Sequence, residues 1–358
     1  MRTTARSPPS SRVDAAPVAV PKDLSGAHGH SAPPAEECGV SVVRVSVIVA
    51  SWNTRDLLER CLRSVTSSHP GFELELIVVD NGSSDGSVQM VASRFPQAIL
   101  IASKENLGFA GANNLGMARA TGDYLLLINA DAEMADSALS GLVHCAEENP
   151  GAGIVGPRLL NPDGTAQSSR RRFPTTATAF LESTVLQRWF PNHPVLRAYY
   201  VLDRDDGEVQ EVDWLVGACL LVRAEAARSA GPLDEGYFMY SEELDWCHRF
   251  ANKGWKVVYY SFAVAYHHGG QGSDQSPFHR HTRFQLSKCR YFERHHGLLF
   301  AQLLRLFILL NYLFMLGEDA AKWLLGSKRK MRAGRISVLA RVVWWQLVWI
   351  AKWGRIAP

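Results

Sequence analysis

Apolar runs and helical periods alternate along the first half of the chain. Short apolar runs within Val42–Ser51, Glu73–Asp80, Ala98–Ala102 and Tyr124–Asn129 predict four strands. Between the strands, apolar residues recur at three- and four-residue spacing, as in Arg55–Ser67, which predicts helices. Because strands and helices alternate, we predict an α/β fold with a doubly wound, mostly parallel sheet and right-handed crossovers.

The pattern is looser in the second half of the chain. Val212–Val222 predicts a strand, Glu242–Lys253 predicts a helix, and Trp255–Tyr260 and Ala263–Tyr266 predict two further strands. Residues 170–210 show neither the strand period nor the helical period, which favours a mobile loop region.

The C-terminal part differs in hydropathy and in charge. Leu298–Leu316 is apolar apart from three polar residues, and a second apolar segment, Ile336–Trp353, is flanked by basic residues. Residues 280–358 hold 15 Lys and Arg against 3 Asp and Glu, a net charge of +12 in a chain of net charge +3. Basic charge interleaved with Trp and Leu predicts amphipathic helices at an anionic membrane surface, and no nucleic acid partner. The first segment is long enough for a single span, but Arg305 within it disfavours one.

Composition narrows the class of protein. With 358 residues, 47% hydrophobic and 20% charged, the chain is typical of a globular protein. Residues 1–42 are rich in Pro, Ser and Ala and predict a disordered extension. No apolar segment follows Arg2 and Arg6, which argues against a signal peptide. The six cysteines show neither CxxC nor zinc spacing, so we interpret them as reduced thiols of a cytoplasmic protein.

Polar side chains stand where three of the predicted parallel strands end. The first strand runs into Trp52 and Asn53, the second ends on Asp80, and the fourth ends on Asn129 and Asp131. Ligands of open α/β sheets bind at the carboxyl edge, where these side chains are expected to meet. Asp131 could hold a metal and through it a phosphate, and Asp80 could accept a hydrogen bond from a nucleobase N–H. The alternative is that both carboxylates cap helices or form Asx turns.

The segment between the third strand and the next helix contains Asn106, Gly108 and Asn113. Its small residues allow a close backbone approach, and a helix N-terminus favours an anion. The alternative is tight packing of the helix on the sheet. The spacing of Gly108 and Gly111 is not the dinucleotide fingerprint after a first strand, which argues against a nicotinamide-dependent dehydrogenase.

Three carboxylates begin the helix predicted after residue 241. Glu242, Glu243 and Asp245 fall in its first turn, where the helix dipole stabilises anions. Glu242 and Asp245 share one face, and Glu243 points about 100° away. They are either catalytic groups or helix-capping residues, with Ser241 as the N-cap and a surface salt bridge from Asp245 to Arg249.

His267 follows the last predicted strand. A histidine at a strand end is either a polar surface residue or, beside a carboxylate site, a metal ligand. The other histidines, including His279 and His295, have no zinc spacing with cysteine, and we interpret them as non-metal.

Together, these residues resemble the family 2 glycosyltransferases of the GT-A fold, in particular their bacterial rhamnosyltransferase-like branch. Seven motifs occur in the family's order, namely Val45–Asn53, Val78–Gly86, Asn106–Ala110, Asn129–Asp131, Gly217–Val222, Phe238–Asp245 and His267–Gly270. The resemblance covers residues 43–297, which gives an extension over 1–42, a GT-A domain over 43–297 and a basic, Trp-rich, membrane-associating helical tail over 298–358.

The resemblance implies a donor site for a nucleotide-diphospho-sugar. The implied binding residues are Trp52, Asn53, Asp80, Asn106, Gly108, Asn113, Asn129 and Asp131. Asp80 would contact the nucleobase, and Asn129-Ala130-Asp131 occupies the family's DxD position, which binds a divalent cation (Mg²⁺ or Mn²⁺) and the diphosphate. Because Asn129 replaces an Asp, this metal site has one charge fewer and would bind a hard cation more weakly. His267 matches the family's late histidine, which can complete the metal shell.

The resemblance also implies a general base at the start of the acidic helix. Glu243 occupies the position usually filled by Asp, and because it is one methylene longer, Glu243, Glu242 or Asp245 could take the proton. The implied reaction is inverting transfer of a sugar, best L-rhamnose from dTDP-L-rhamnose, onto a lipid-linked or cell-envelope glycan acceptor. The implied place is the cytoplasmic face of the inner membrane, as a peripheral or single-span protein; no oligomeric state follows from the sequence.

Two other functions fit the same residues. One is transfer of a UDP-hexose or galactofuranose by the same fold. The other is a non-catalytic, membrane-bound scaffold that binds sugar nucleotides, which Asn129 favours and which the intact acidic helix start and His267 oppose.

Overall fold

The computed structural model describes residues 42–66, 71–270 and 276–351. The extension predicted over residues 1–42 lies outside the described residues except for Val42. The strands are β1 Val43–Ser51, β2 Phe72–Asp80, β3 Ile99–Ala102, β4 Tyr124–Asn129, β5 Ala132–Met134, β6 Ala152–Leu160, β7 Arg170–Arg171, β8 Gln210–Val212, β9 Trp214–Leu215, β10 Cys219–Arg223 and β11 Lys256–His267. The helices are α1 Arg55–Thr66, α2 Ser87–Arg94, α3 Gly108–Met117, α4 Ala138–Glu148, α5 Thr176–Leu181, α6 Val185–Trp189, α7 Pro194–Tyr199, α8 Ala224–Ala230, α9 Glu242–Asn252, α10 Pro277–His296, α11 Leu298–Leu324 and α12 Arg329–Ala351.

Nine of these strands form one mixed sheet in the order β3-β2-β1-β4-β10-β6-β11-β5, with β8 beside β11. The first four strands are parallel, as predicted from their alternation with helices. Strand β10 is antiparallel to both β4 and β6, and β11 is parallel to β6. The predicted α/β class with a largely parallel sheet is therefore confirmed.

The continuous apolar run of β1 is explained by helices on both faces of the sheet. Val47 and Val49 are fully buried in the core that α1, α2 and α4 cover. Ile48 is fully buried in the opposite core, to which α3, α9 and α11 contribute. A strand covered on both faces has no side exposed to solvent, so its sequence is continuously hydrophobic and does not alternate with polar residues.

Strand register brings the predicted polar ends together. Ser51 at the end of β1 is paired with Asp80 at the end of β2, and Ala50 is paired with Asn129 at the end of β4. The expectation that these ends meet at one edge is confirmed. Strand β5 follows at once and pairs antiparallel with β11, so that Ala132 lies opposite His267.

The prediction of a mobile loop region over residues 170–210 is wrong. This segment contains the short helices α5, α6 and α7. Each begins with a capping side chain, from Thr175, Thr184 and His193 respectively. Helices of one or two turns are too short to show a hydrophobic period, and their caps supply the local signal instead.

The strand predicted over Val212–Val222 is divided into three. Strand β8 pairs with β11, β9 pairs with β7, and β10 enters the main sheet. The chain turns at Gly217, between β9 and β10. Conversely, the two strands predicted over Trp255–Tyr260 and Ala263–Tyr266 form the single strand β11, with a register shift between Tyr260 and Val264.

Helix α11 is long and apolar enough to cross a membrane by length and composition, and 39% of its most apolar window is buried. Its interrupting polar residues face the protein. Asn311 accepts a hydrogen bond from the Val185 backbone at 2.9 Å, and the Arg305 guanidinium lies 4.2 Å from the ring centre of Trp349 in α12. Another side of α11 exposes a row of leucines, namely Leu299, Leu303, Leu306 and Leu310.

Candidate active site

A cavity of about 550 Å³ opens at the carboxyl edge of the parallel strands. Its walls come from the ends of β1, β4 and β11, the turn at Gly217 and the starts of α3, α9 and α10. Eight of the twelve predicted site residues line it, namely Trp52, Asn106, Gly108, Asn129, Asp131, Glu242, Glu243 and His267. The residues predicted from the strand ends and those at the acidic start of α9 thus line the same cavity.

Asp131 and His267 form a close pair of polar side chains in this cavity. The Oδ1 atom of Asp131 lies 3.3 Å from Nε2 of His267, and both side chains are largely buried. The β5–β11 register places them together, and the His268 backbone amide donates to the Asp131 carbonyl at 2.9 Å. The Asn129 side-chain amide lies 3.4 Å from the same Nε2 atom.

Gln167 fixes the orientation of the His267 ring, a role that no sequence pattern indicated. Its Nε2 group donates to the Asn161 side chain at 3.0 Å and to the His267 carbonyl at 3.2 Å. Its Oε1 atom therefore faces His267 Nδ1, at 2.7 Å, and accepts the ring proton. The remaining ring nitrogen, Nε2, then presents its lone pair toward Asp131.

A carboxylate facing an imidazole lone pair is a donor set that fits a divalent cation. Within the described residues, no group of three His, Cys, Asp or Glu side chains is placed to hold a metal. The protein would supply two ligands, with the remainder from a diphosphate and water, as is usual for Mg²⁺. The donor set is consistent with the implied weak metal site.

Glu242 and Glu243 begin α9 after an unusual turn. Tyr240 and Ser241 both have left-handed backbone conformations, with φ values of 71° and 65°. Such conformations are uncommon for residues other than glycine, and they concentrate where a site dictates the chain path. Ser241 occupies the N-cap position, but its side chain makes no capping hydrogen bond. The alternative in which the Ser241 side chain caps α9 is therefore wrong.

The two glutamates influence each other's ionisation. Burial, followed by the nearby charge of Glu243, raises the pKa of Glu242 well above its usual range. Burial also raises the pKa of Glu243, but the Gly217 backbone amide and the Arg171 charge favour its ionised form. Because two close buried carboxylates do not readily ionise together, the geometry favours a charged Glu243 beside a protonated Glu242.

Asp245 faces a different part of the molecule. Its side chain is fully buried, 3.0 Å from Arg249, 3.3 Å from Arg294 and 3.5 Å from His295. Burial opposes its ionisation, but His295, Arg294 and Arg249 outweigh it and hold the pKa below its usual value. The predicted salt bridge to Arg249 exists, yet it is buried rather than at the surface, because α10 covers it. Asp245 is not among the described residues that line the cavity.

Asp80, Asn53 and Asn113 also lie outside the described cavity lining. Asp80 is almost completely buried, and its Oδ2 atom accepts from the Ser83 backbone at 3.0 Å, as the Asx-turn alternative expects. Its Oδ1 atom has no hydrogen-bond partner among the described residues. Asn53 Oδ1 accepts from the backbone of the same turn, and the Asn113 amide donates within α3.

Asn81 organises the segment that begins α3. Its Nδ2 group donates to the Asn106 side chain at 3.0 Å and to the Gly108 carbonyl at 3.1 Å, while its Oδ1 accepts from the Leu107 backbone. Gly108 has φ +76°, and a Cβ there would lie 2.2 Å from the Phe238 carbonyl oxygen. Tight packing is therefore the structural role of Gly108.

The start of α10 adds basic side chains that no sequence pattern indicated. His279, Arg280 and Arg283 line the cavity. The Arg283 guanidinium lies 3.6 Å from the ring centre of Phe238. The helix begins at Pro277, so these residues belong to its first turns. Proline at a first helical position was the available signal.

The sequence matches a known protein family and a curated relative. The family model described as "Glycosyl transferase family 2" matches residues 46–205. The chain is 30% identical over 244 residues to an N-acetylglucosaminyl-diphospho-decaprenol L-rhamnosyltransferase of Mycobacterium tuberculosis, which covers 64% of this chain and 78% of the relative.

Two solved structures show similar folds. A structure of GalNAc-T7 with UDP, GalNAc and Mn²⁺ has a TM-score of 0.52 at 15% identity, covering 71% of this chain and 48% of that chain. The mannosyltransferase PcManGT from Pyrobaculum calidifontis, in complex with GDP-Man and Mn²⁺, has a TM-score of 0.51 at 19% identity, covering 85% of this chain and 86% of that chain. At these identities the likeness concerns the fold, and it confirms the expected GT-A architecture.

Proposed function

Because the chain belongs to glycosyltransferase family 2, we propose that it transfers L-rhamnose from dTDP-L-rhamnose to an N-acetylglucosaminyl diphosphate on a polyprenyl carrier. The chain is a glycosyltransferase. The identities of its donor and acceptor are what we propose. The activity named for the mycobacterial relative supports the acceptor class. The observation that carries the proposal is the meeting of Glu243, Asp131 and His267 at one cavity.

The donor would lie across the strand ends. The Oδ1 atom of Asp80, which has no hydrogen-bond partner in the part of the chain that the structure describes, suits a hydrogen bond from a pyrimidine N–H. Asp131 and His267 would hold Mg²⁺ or Mn²⁺. Such a cation supplies Lewis-acid stabilisation of the charge on the diphosphate. Arg283 adds positive charge to the same cavity, which favours the departing nucleoside diphosphate.

Glu243 is the proposed general base. Its carboxylate takes the proton of an acceptor hydroxyl as that oxygen bonds to the anomeric carbon. The bond from this carbon to the diphosphate oxygen breaks with its electron pair, and the nucleoside diphosphate leaves from the opposite face. A single displacement of this kind inverts the anomeric configuration. General-base catalysis contributes about 10²–10⁴-fold in rate.

Glu242 has a supporting role in this proposal. Because burial and, after it, the charge of Glu243 raise the pKa of Glu242, this residue keeps its proton and can donate a hydrogen bond toward the cavity. Asp245, held by three basic side chains behind α9, positions the helix and does not touch the reacting atoms.

The tail would bring the active site to its lipid-linked acceptor. The inward-facing Arg305 and Asn311 and the outward leucine row make α11 two-sided. A helix with one side packed on protein and an apolar row on another is suited to lie in a membrane interface. We therefore propose peripheral binding at the cytoplasmic face of the inner membrane, with basic residues such as Arg329 and Arg335 near anionic headgroups.

A donor panel tests the proposed function. The full-length protein is mixed with dTDP-L-rhamnose, UDP-hexoses or UDP-galactofuranose, an N-acetylglucosaminyl diphosphate with a short prenyl chain, and Mg²⁺, Mn²⁺ or chelator. Mass spectrometry is expected to find a product heavier than the acceptor by one deoxyhexose. This product should form only with the dTDP donor, and its amount should fall when chelator is added. A hexose product would reassign the donor, and nucleotide binding without transfer from any donor would favour the scaffold function.

A further inference from the structure

A second, smaller cavity of about 190 Å³ lies on the other side of Glu243. Resting on the proposed function, we propose that this cavity binds the acceptor sugar, with its walls supplied by the α5–α7 segment and by α10. Tyr240 and Glu243 line both this cavity and the larger one. A general base must reach the acceptor hydroxyl within hydrogen-bond distance, so a residue shared by the two spaces is suitably placed.

The size of the small cavity suits a single sugar ring. It corresponds to about six water molecules at roughly 30 Å³ each, far less than a nucleotide needs. The larger cavity is almost three times as big and contains the proposed diphosphate site. Donor and acceptor thus have separate spaces of appropriate sizes, with the base between them.

Aromatic rings and one arginine form most of the small cavity wall. Arg171 lies over the rings of Tyr200, Tyr199 and Trp214, with distances of 4.6, 5.8 and 5.9 Å to the ring centres. Phe284 from α10 packs edge-on against Tyr240. Ligand pockets typically combine such apolar and aromatic faces with a few polar groups that fix orientation, and a pyranose offers both C–H faces and hydroxyl edges.

Unpartnered polar atoms mark the shared wall. The Tyr240 hydroxyl and Glu243 Oε2 are buried atoms without a hydrogen-bond partner among the described residues. Buried polar groups are nearly always paired, so each such atom requires an explanation. A ligand rich in hydroxyl groups would satisfy both atoms. The Tyr240 hydroxyl could donate or accept a hydrogen bond, and Glu243 Oε2 could accept one.

Lys288 and Glu182 place an ion pair in the same cavity. Lys288 Nζ donates to the Glu182 carbonyl at 2.6 Å and to its Oε2 atom at 3.1 Å. An ammonium group has three donors, so one remains for an oxygen of the acceptor. Lys288 is largely buried and belongs to α10, while Glu182 follows α5, so both walls of the cavity contribute to this contact.

The test is direct binding of the acceptor, which does not depend on turnover. The probe is an N-acetylglucosaminyl diphosphate with a short prenyl chain, titrated calorimetrically into the full-length protein saturated with dTDP. Lys288→Met is expected to weaken the Kd about tenfold or more, since a hydrogen bond to a charged group is lost. The dTDP affinity is expected to change less than about twofold, as is normal for a site away from the substitution.

Two further variants keep the test decisive. Phe284→Leu removes a ring face without disturbing the ion pair and should also weaken acceptor binding. Lys322→Met is the matched control, because Lys322 pairs with Glu318 outside both cavities, and its acceptor Kd should be unchanged. Unchanged acceptor binding in both Lys288→Met and Phe284→Leu would overturn the inference. If these variants lose acceptor binding but wild type transfers no rhamnose, the cavity assignment stands and the proposed donor is wrong.

Discussion

The Oδ1 atom of Asp131 lies 3.3 Å from Nε2 of His267, across the register that pairs β5 with β11. Gln167 fixes the proton on the far side of the ring, so the near nitrogen and the carboxylate face each other as electron-pair donors. Because these contacts involve named side chains, substitutions can test the proposed metal site.

Asn129→Asp tests the charge of the proposed metal site. The Asn129 amide is 3.4 Å from His267 Nε2, so a carboxylate there would add a charged ligand. We expect the Mn²⁺ concentration for half-maximal transfer to fall by roughly tenfold, because ligand charge count tunes cation affinity. Asn192→Asp adds the same charge at an exposed position and should leave the Mn²⁺ response unchanged. An unaltered response in Asn129→Asp would argue against metal binding at this edge.

Gln167→Leu tests the orientation of His267. The substitution removes the acceptor of the ring proton while keeping similar bulk. Outer-shell partners of metal ligands are typically worth about 10–100-fold in metal affinity, so the Mn²⁺ requirement should rise by that order. Gln89→Leu, at an exposed position of α2, is the control. If Gln167→Leu and Gln89→Leu titrate alike with Mn²⁺, the ring orientation does not depend on Gln167.

A stacked histidine pair between α9 and α10 predicts a pH-dependent stability. His248 lies 4.1 Å from His295 between ring centres and 4.5 Å from Phe173. Burial, followed by the charge of His295, lowers the pKa of His248. The unfolded chain therefore binds more protons at this group than the folded chain. The stabilisation is fully present above the unfolded pKa of about 6.5 and is lost as the pH falls from there through the lower pKa of the folded state.

The measurement for this pair is the melting temperature between pH 8 and pH 5. His248→Gln should flatten the acid side of the profile relative to wild type. His144→Gln replaces an exposed histidine and should keep the wild-type slope. A His248→Gln profile as steep as that of wild type would assign the pH dependence to other groups.

Leu303→Glu combined with Leu310→Glu tests the membrane role of α11. Both leucines are exposed on the helix, so charges there should reduce co-sedimentation with anionic vesicles several-fold while leaving the melting temperature unchanged. Leu202→Glu changes an exposed leucine elsewhere in the chain and is the control. Full sedimentation of the double variant would contradict the proposed orientation of the tail.

Deletion of the whole tail would be a poorer test. Asn311 accepts a hydrogen bond from the Val185 backbone, and Phe180 packs against Phe300 and Phe307 of α11. Removing residues 298–358 would therefore expose part of the core that α11 covers, as well as remove its exposed leucine row.

Local signals made the parallel half of the sheet predictable. Each of its strands has its own apolar run, and three of the four, β1, β2 and β4, run into polar residues. Both features can be recognised from neighbouring residues alone, without information about distant segments. The acidic start of α9 was visible for the same reason. What these residues do together depended on register, because only the pairing of Ser51 with Asp80 and Ala50 with Asn129 puts the three ends at one edge.

The features that the sequence did not reveal depend on contacts between distant segments. Strand β5 has three residues and no period, although it sets the distance between Asp131 and His267. Gln167 acts through a histidine 100 positions away. The small cavity is assembled from α5–α7 and α10, and none of these pieces alone carries a sugar-binding pattern.

The general-base assignment is the central claim, and single-turnover transfer by carboxamide variants tests it most directly. Glu243→Gln is expected to slow transfer by about 10²–10⁴-fold with donor affinity nearly unchanged, because only the proton acceptor is lost. Glu242→Gln should slow it much less, since Glu242 is already protonated, and Asp245→Asn should chiefly lower the melting temperature. Near wild-type transfer by Glu243→Gln, with Glu242→Gln or Asp245→Asn inactive but folded, would contradict the account.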